Sequence, residues 1–388
     1  MPDFKIPWPG RGVDYTLDDE RAVIEAMKAD PQTQGKHLRQ FEDAFSEYHG
    51  GLHSFAVSSG AAALEIAAML CDFKAGDEVI IPTHTYCATA LPFARRGVAI
   101  KWADIHPTIR TVTAETIMPL VTEKTKAIVV VHLYGCEAPI SCIAKVARDR
   151  NILLIEDCAQ SLGATHEFLA NWNGASWIPF GKSGTHGDIA CYSFHGQKNL
   201  TTLGEGGMIA TGHERFAKWI PGLRHNGHRQ TGDLKVVDFD IPDIYPFNYS
   251  IGEAQCAVGT SQLKRLDYMN AKRRNHAKRI IKELEDYKKE LVFQTIPRGS
   301  THVYHLLCAS HPERDRLKNI LAEKYGVECV IQYKPLHLYP LFKSYGKADC
   351  PEAEDFHAHA LSFPLAEWFT EDMVDYLIHS IKSAIREI

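Results

Sequence analysis

Short apolar, β-rich runs recur along the first half of the chain, and each is followed by a stretch with helical character. The runs are Phe55–Val57, Glu78–Ile81, Ala99–Ala103, Ala127–Val131, Leu153–Ile155 and Asp188–Ser193. Strands that alternate with helices close into a mostly parallel sheet covered by helices on both faces. The reading is therefore an α/β fold, and its ligand is expected at the carboxyl ends of the strands. Helices are predicted over Asp18–Ala29, His37–Tyr48 and Ala61–Leu70, after an irregular Pro- and Gly-containing start at Pro7–Gly12. From about Glu253 a long, basic, mostly helical run extends to Glu290. A strand near Tyr304–Ala309, a helix over Arg314–Tyr325 and a closing helix from Glu371 follow it.

At 388 residues, 45% of them hydrophobic, the chain is too long for one ordinary domain. We expect a large domain with an amino-terminal arm over residues 1–255, and a linking helix with a smaller α/β domain over 256–388. The net charge of −5 and the lack of any long Lys/Arg run argue against nucleic acid and anionic lipid as partners. A small-molecule ligand is expected instead. Neither a signal peptide nor a membrane-length apolar window is visible, so a cytoplasmic protein is expected. Ten cysteines are scattered without a CxxC pair, which reads as buried free thiols rather than a disulfide framework or zinc site. His302 with His305, His357 with His359, and His225 with His228 and Arg229 lack metal-ligand spacing, so no metal is expected. The 225–229 segment reads better as lying near an anionic substrate group.

Four segments carry chemistry. Glu156-Asp157-Cys158-Ala159-Gln160 directly follows an apolar run, which puts a carboxylate at a strand end. A pyridine-ring cofactor needs such a group to keep its ring nitrogen protonated, whereas a helix cap or ion pair is the plainer use. Ser193-Phe194-His195-Gly196-Gln197-Lys198 precedes the Gly-rich turn Gly204-Glu205-Gly206-Gly207. A lysine buried there would lose its ammonium proton more easily and could attack an aldehyde, although most lysines are solvated surface charges. Ser58-Ser59-Gly60-Ala61 opens a helix whose free N–H groups suit a phosphate dianion. Pro82-Thr83-His84-Thr85-Tyr86 ends a strand with an aromatic ring able to stack on a planar ligand or simply to pack.

Together these segments resemble the sugar aminotransferases of the DegT/DnrJ/StrS family, of the aspartate-aminotransferase fold type. The resemblance runs from Gly35 to about Ile381, through Gly76–Pro82, Val131–Gly135, Glu156–Gln160, Ser193–Lys198, Gly204–Gly207, Phe247–Tyr249 and Pro335–Leu338. It implies a pyridoxal 5′-phosphate enzyme in which Lys198 carries the cofactor as a Schiff base and Asp157 partners the pyridinium nitrogen. Gln160 would touch the ring or its hydroxyl, and Tyr86 would stack on it. Gly60, Ala61 and Ser193 would hold the phosphate, with Asn248 reaching in from the neighbouring subunit of a homodimer. The implied reaction takes an amino group from L-glutamate, stores it as pyridoxamine 5′-phosphate, and passes it to a keto sugar of amino-sugar or lipopolysaccharide biosynthesis.

Three departures bear on the substrate. Ala61 stands where the family commonly has a phosphate-binding threonine, and Ser250 stands where an arginine is expected. Residues 166–183, with Trp172, Trp177, Phe180 and Lys182, are longer than the usual connection and could line a substrate pocket or pack on themselves. Ser250 and the inserted segment point to an acceptor outside the nucleotide-linked 3- and 4-keto hexoses, and the resemblance suggests a 3-deoxy-octulosonate aminated at C8. A dehydratase of similar scaffold is disfavoured, because histidine replaces the lysine there. The remaining alternative is a regulatory dimer that binds the cofactor without turnover.

Overall fold

The computed structural model describes residues 4–166, 181–231, 234–237, 244–345 and 348–388. Its centre is a seven-stranded sheet: β1 (His53–Val57), β2 (Glu78–Pro82), β3 (Ala99–Ala103), β4 (Thr125–Val131), β5 (Leu153–Asp157), β6 (Ile189–Ser193) and β7 (Gly207–Thr211). The spatial order is β1-β7-β6-β5-β4-β2-β3. Pairings from β6 through β3 are parallel, while β7 is antiparallel to both β6 and β1. Only β7 therefore runs against the rest, and the mostly parallel α/β sheet expected from the alternation is present.

Period-two alternation sends each strand's side chains to two different cores. Val79, Ile81, Ala127, Val129 and Val131 join one apolar cluster, with the helix Gly60–Leu70 packed into it. Ile80, Ile128, Val130 and Leu154 join another, with the helix Ile140–Asp149. On the β6–β7 side, Ala190, Tyr192 and Met208 meet Phe41 and Phe45 of the helix Lys36–Tyr48. That helix starts at Gly35 without a side-chain cap of its own. Glu253 supplies one from the helix Glu253–Leu263: its carboxylate accepts from the N–H groups of Gly35 at 2.8 Å and His37 at 2.7 Å.

The first helix is Leu17–Ala26, fixed by a capping box between Thr16 and Asp19. The basic run after Glu253 is two helices, Glu253–Leu263 and Leu266–Glu283, rather than one. A second sheet follows, made of β8 (Val292–Phe293), β9 (Leu307–Ser310) and β10 (Ala360–Phe363), all antiparallel. The strand expected from Tyr304 starts only at Leu307, because Tyr304 adopts φ 47°, a left-handed conformation that a strand cannot contain. The helices Arg314–Tyr325 and Glu371–Arg386 pack beside this sheet over Leu317, Leu321, Leu377 and Ile381. The ten cysteines are free, and eight are buried. Among the described residues no helix is long and apolar enough to cross a membrane.

Candidate active site

Because β2, β4, β5 and β6 are parallel, their carboxyl ends share one edge of the sheet. A cavity of about 450 Å³ lies there, and seven of the eight candidate site residues line it: Gly60, Ala61, Tyr86, Asp157, Gln160, Ser193 and Lys198. Asn248 does not. It is exposed on its own chain, its side-chain oxygen taken by the N–H of Ser250 at 3.1 Å.

Asp157 closes β5 and is 5% exposed. Its two oxygens accept from the Thr89 hydroxyl at 2.8 Å and the Ala159 N–H at 3.1 Å. Burial raises its carboxyl above the ordinary range, against the pull of those two bonds and of the Lys198 charge. The preceding Glu156 faces the opposite way, into the protein. Burial pushes its carboxyl up, but the hydrogen bond from His132, with donors from the segment before β6, outweighs burial and brings it to about 2. His132 accepts from Ala138 N–H at Nδ1, so its Nε2–H donates to Glu156 at 2.9 Å. The N–H groups of Gly184, His186 and Gly187 complete the shell. Ligand-type atoms of His132, Glu156 and Cys158, and of Glu137, Glu156 and His186, do come within 4.8 Å of one another. Hydrogen-bond donors already occupy the Glu156 oxygens in both groups.

Gln160 is oriented on both sides: its oxygen accepts from Tyr134 N–H at 2.6 Å and its amide donates to the Tyr333 hydroxyl at 3.0 Å. The Tyr333 ring lies 6.0 Å from that of Tyr86, which is 55% exposed at the cavity edge.

Lys198 is half-buried, with its Nζ 3.5 Å from Nε2 of His305. Desolvation brings its amine down to about 8, against the opposing pull of the Asp157 carboxylate. Behind it runs the amino-terminal segment. Gly12 N–H donates to Gly196 carbonyl at 2.8 Å, and a Cβ on Gly12 would sit 2.1 Å from the carbonyl oxygen of Lys198. Only glycine can pass there. Gly12 carbonyl in turn accepts from Arg273 at 2.6 Å, a buried guanidinium that also donates to the Leu365 carbonyl at 3.2 Å.

The helix Gly60–Leu70 begins at the cavity with Ser59 as its cap, the Ser59 hydroxyl accepting from Ala62 N–H at 3.1 Å. Gly60 and Ala61 are left as helix-end donors with no intrahelical acceptor, and no acidic residue occupies the first turn. Ser193, at the end of β6, stands directly against Gly60.

Other expectations fall elsewhere. Lys182 does not enter the cavity: its ammonium donates to the Tyr48 carbonyl at 2.6 Å and lies 3.2 Å from the centre of the Tyr48 ring. An ammonium above an aromatic face is held there, outside the cavity lining. Trp172, Trp177 and Phe180 lie outside the described residues. Ser250 bonds Nδ1 of His225 at 2.7 Å, and neither residue lines the cavity.

Residues 14–382 match the model of the DegT/DnrJ/EryC1/StrS aminotransferase family. The chain belongs to this family. It is 32% identical over 372 residues to a pleiotropic regulatory protein of Geobacillus stearothermophilus, with 94% of each chain covered. It is 31% identical over 356 residues to GDP-perosamine synthase of Caulobacter vibrioides, covering 90% of this chain and 91% of the relative. An aminotransferase of Psychrobacter cryohalolentis has the same fold, with a TM-score of 0.86 at 26% identity and 99% of each chain covered. As a DegT/DnrJ/EryC1/StrS member the chain is a sugar aminotransferase that uses pyridoxal 5′-phosphate.

Sequence reasoning missed several of the cavity's walls. Trp8, Pro9 and Gly12 line it from the arm, and Arg273, His305 and Tyr333 from beyond Glu253. The Pro/Gly pattern at Pro7–Gly12 marked an irregular segment but not its destination. His305 drew notice only as half of a histidine pair without metal spacing.

Proposed function

We propose that Lys198 carries the cofactor and relays the proton of the transamination, on the strength of one observation: the Lys198 amine and the Asp157 carboxylate share a single cavity at the strand ends. The cavity's chemistry fits pyridoxal phosphate. Gly60 and Ala61 offer two N–H donors at a helix start, and Ser193 adds a hydroxyl beside them. Asp157 is the partner for a pyridinium N–H, which converts a carboxyl raised by burial into a stabilised carboxylate. Gln160, fixed by Tyr134 and Tyr333, contacts the ring, and Tyr86 covers it. Asn248, exposed on its own chain, completes the phosphate site of the neighbouring subunit in a homodimer.

When bound, the cofactor supplies an electron sink for the carbanion generated at the donor α-carbon. This chain's residues do the rest. Asp157 keeps the positive charge on the ring nitrogen that makes the sink effective. Lys198, once freed by the amino donor, would hold and move the proton released at the donor α-carbon, a role favoured by an amine brought down to about 8. The amino donor is L-glutamate, and the acceptor is a keto sugar of amino-sugar or lipopolysaccharide biosynthesis. Relatives named for nucleotide-linked sugars, such as UDP-N-acetyl-3-dehydro-alpha-D-glucosamine 3-aminotransferase of Acidithiobacillus ferrooxidans, support the sugar class. The Ser250 substitution supports screening a C8-oxidised 3-deoxy-octulosonate beside nucleotide-linked keto hexoses.

The test is single-turnover spectroscopy of the cofactor band with L-glutamate. Wild-type protein converts to the amine form of the cofactor, and Lys198→Ala does not. Sustained turnover by Lys198→Ala with both substrates would overturn the assignment, and lack of conversion in the wild type would favour a regulatory cofactor-binding dimer.

A further inference from the structure

His305 reaches the Lys198 amine from a segment fixed at several points. Its backbone is wedged against Gly135, where a Cβ would come within 2.8 Å of the His305 nitrogen. Val303 N–H bonds Gly135 carbonyl at 2.8 Å and Leu306 N–H bonds Tyr134 carbonyl at 3.1 Å, so the segment is tied to the end of β4 on both sides of His305.

The protonation of its ring follows from two amides. Asn270 donates from Nδ2 to the Leu162 carbonyl at 2.9 Å, and a carbonyl can only accept, so the Asn270 oxygen faces Asn199. Asn199 donates from Nδ2 to that oxygen at 2.8 Å and to the Val303 carbonyl at 3.1 Å. Its own oxygen is thereby turned toward Nδ1 of His305, at 3.3 Å. An amide oxygen accepts only, so Nδ1 carries the hydrogen. In a neutral imidazole the lone pair then sits on Nε2, the atom 3.5 Å from Lys198 Nζ.

Building on the assignment of Lys198 as the cofactor lysine, we propose that His305 is its positioning residue. Held in the Nδ1–H tautomer by Asn199, it accepts one N–H bond of the Lys198 amine and turns the nitrogen lone pair toward the cavity. An amine that must pick a proton off a bound donor gains from a fixed orientation, because free rotation on a four-carbon stem would spend most of its time misaligned. The acceptor must stay neutral, since a second ring proton at Nε2 would face the ammonium. Burial, then the charges of Lys198 and Arg273, hold His305 well below the ordinary histidine range. His195 and His302 act in the same direction, and Asp157 is the anion facing Lys198.

The experiment compares wild type, His305→Phe and Asn199→Asp, each loaded with pyridoxal phosphate. Borohydride reduction followed by peptide mapping locates the modified lysine, the absorption of the lysine-bound cofactor is titrated with pH, and the conversion rate with L-glutamate is measured. The expected result is trapping at Lys198 in all three proteins, with conversion about 10- to 100-fold slower in both variants. In Asn199→Asp the titration midpoint moves down, because the new carboxylate favours imidazolium at His305 and sets a positive charge against the lysine. Midpoints and rates within twofold of wild type in both variants would sink the proposal. Trapping of a lysine other than Lys198 in wild type would instead overturn the assignment beneath it.

Discussion

Gly60 and Ser193 stand so close that a Cβ on the glycine would lie 2.7 Å from the Cβ of the serine. The two residues lie on different elements, the start of the helix Gly60–Leu70 and the end of β6, and both face the cavity. Gly60→Ala must push the helix start away from Ser193 and spoil the donor array. Cofactor affinity of the apoprotein, followed by absorbance titration, should weaken by about 10-fold or more, as expected when close contacts force a shift. Ser193→Ala removes one hydrogen bond to a phosphate dianion without a clash and should weaken it by roughly 13- to 150-fold.

Asp157→Asn keeps the shape of the side chain and deletes its charge. Conversion with the amino donor should fall on the order of 100-fold or more while the protein still folds. Thr89→Val removes one of the two bonds that resist the burial of Asp157. Its conversion rate should fall about 2- to 13-fold. A larger loss for Thr89→Val than for Asp157→Asn would break the argument.

Lys198 also has a consequence for the cofactor-free protein. Its amine is at about 8 in the folded chain, against 10.5 ordinarily. Between those values the unfolded chain keeps a proton that the folded chain has lost, so this residue's contribution to stability rises with pH across that window and is at its most unfavourable below 8. Lys198→Met should therefore make the apoprotein more stable at pH 7, by about 1–2 kcal/mol. Urea unfolding at pH 7 and at pH 10 should show the advantage shrinking.

Glu137 is fully buried; among the described residues neither of its carboxyl oxygens has a hydrogen-bond partner, and Nδ1 of His186 lies 3.8 Å from one of them. Burial, then the charge of Glu156, holds its carboxyl well above the ordinary 4.5. With a raised folded-state value, its stabilising contribution is complete below 4.5 and declines as pH rises toward that raised value. Glu137→Gln keeps the group neutral at every pH. Its unfolding free energy should exceed that of wild type by about 1–2 kcal/mol at pH 8 and match it near pH 4.

If Asn248 serves the neighbouring subunit, two defective chains can repair each other. Co-expressed Lys198→Ala and Asn248→Ala chains form hybrid dimers in which one site has both native residues. Cofactor affinity and conversion in the hybrid should exceed those of either parent dimer, measured after purification on two different tags. No gain on mixing would mean that Asn248 does not act across subunits.

Much of the sheet was legible because its strands are short, apolar and spaced by helices. β7 was not, since it starts at Gly207 inside a Gly-rich turn and pairs antiparallel with β6. Asp157, Gln160, Ser193 and Lys198 could be grouped because each sits near a strand end in a motif of fixed order. Arg273, His305 and Tyr333 carry no such local pattern. They meet the cavity only through packing between residues far apart in sequence, and the same holds for Glu253, whose capping of the helix at Gly35 no spacing rule would suggest. For Lys182 the sequence leaves pocket and packing both open, and the structure resolves it toward packing: its ammonium is held by the Tyr48 ring and carbonyl.

Arg273 gathers the Gly12 and Leu365 carbonyls on one guanidinium, joining segments that lie far apart in sequence. A chain without the Leu365 segment would lack one of these ties, leaving the Gly12 segment behind Lys198 less firmly held.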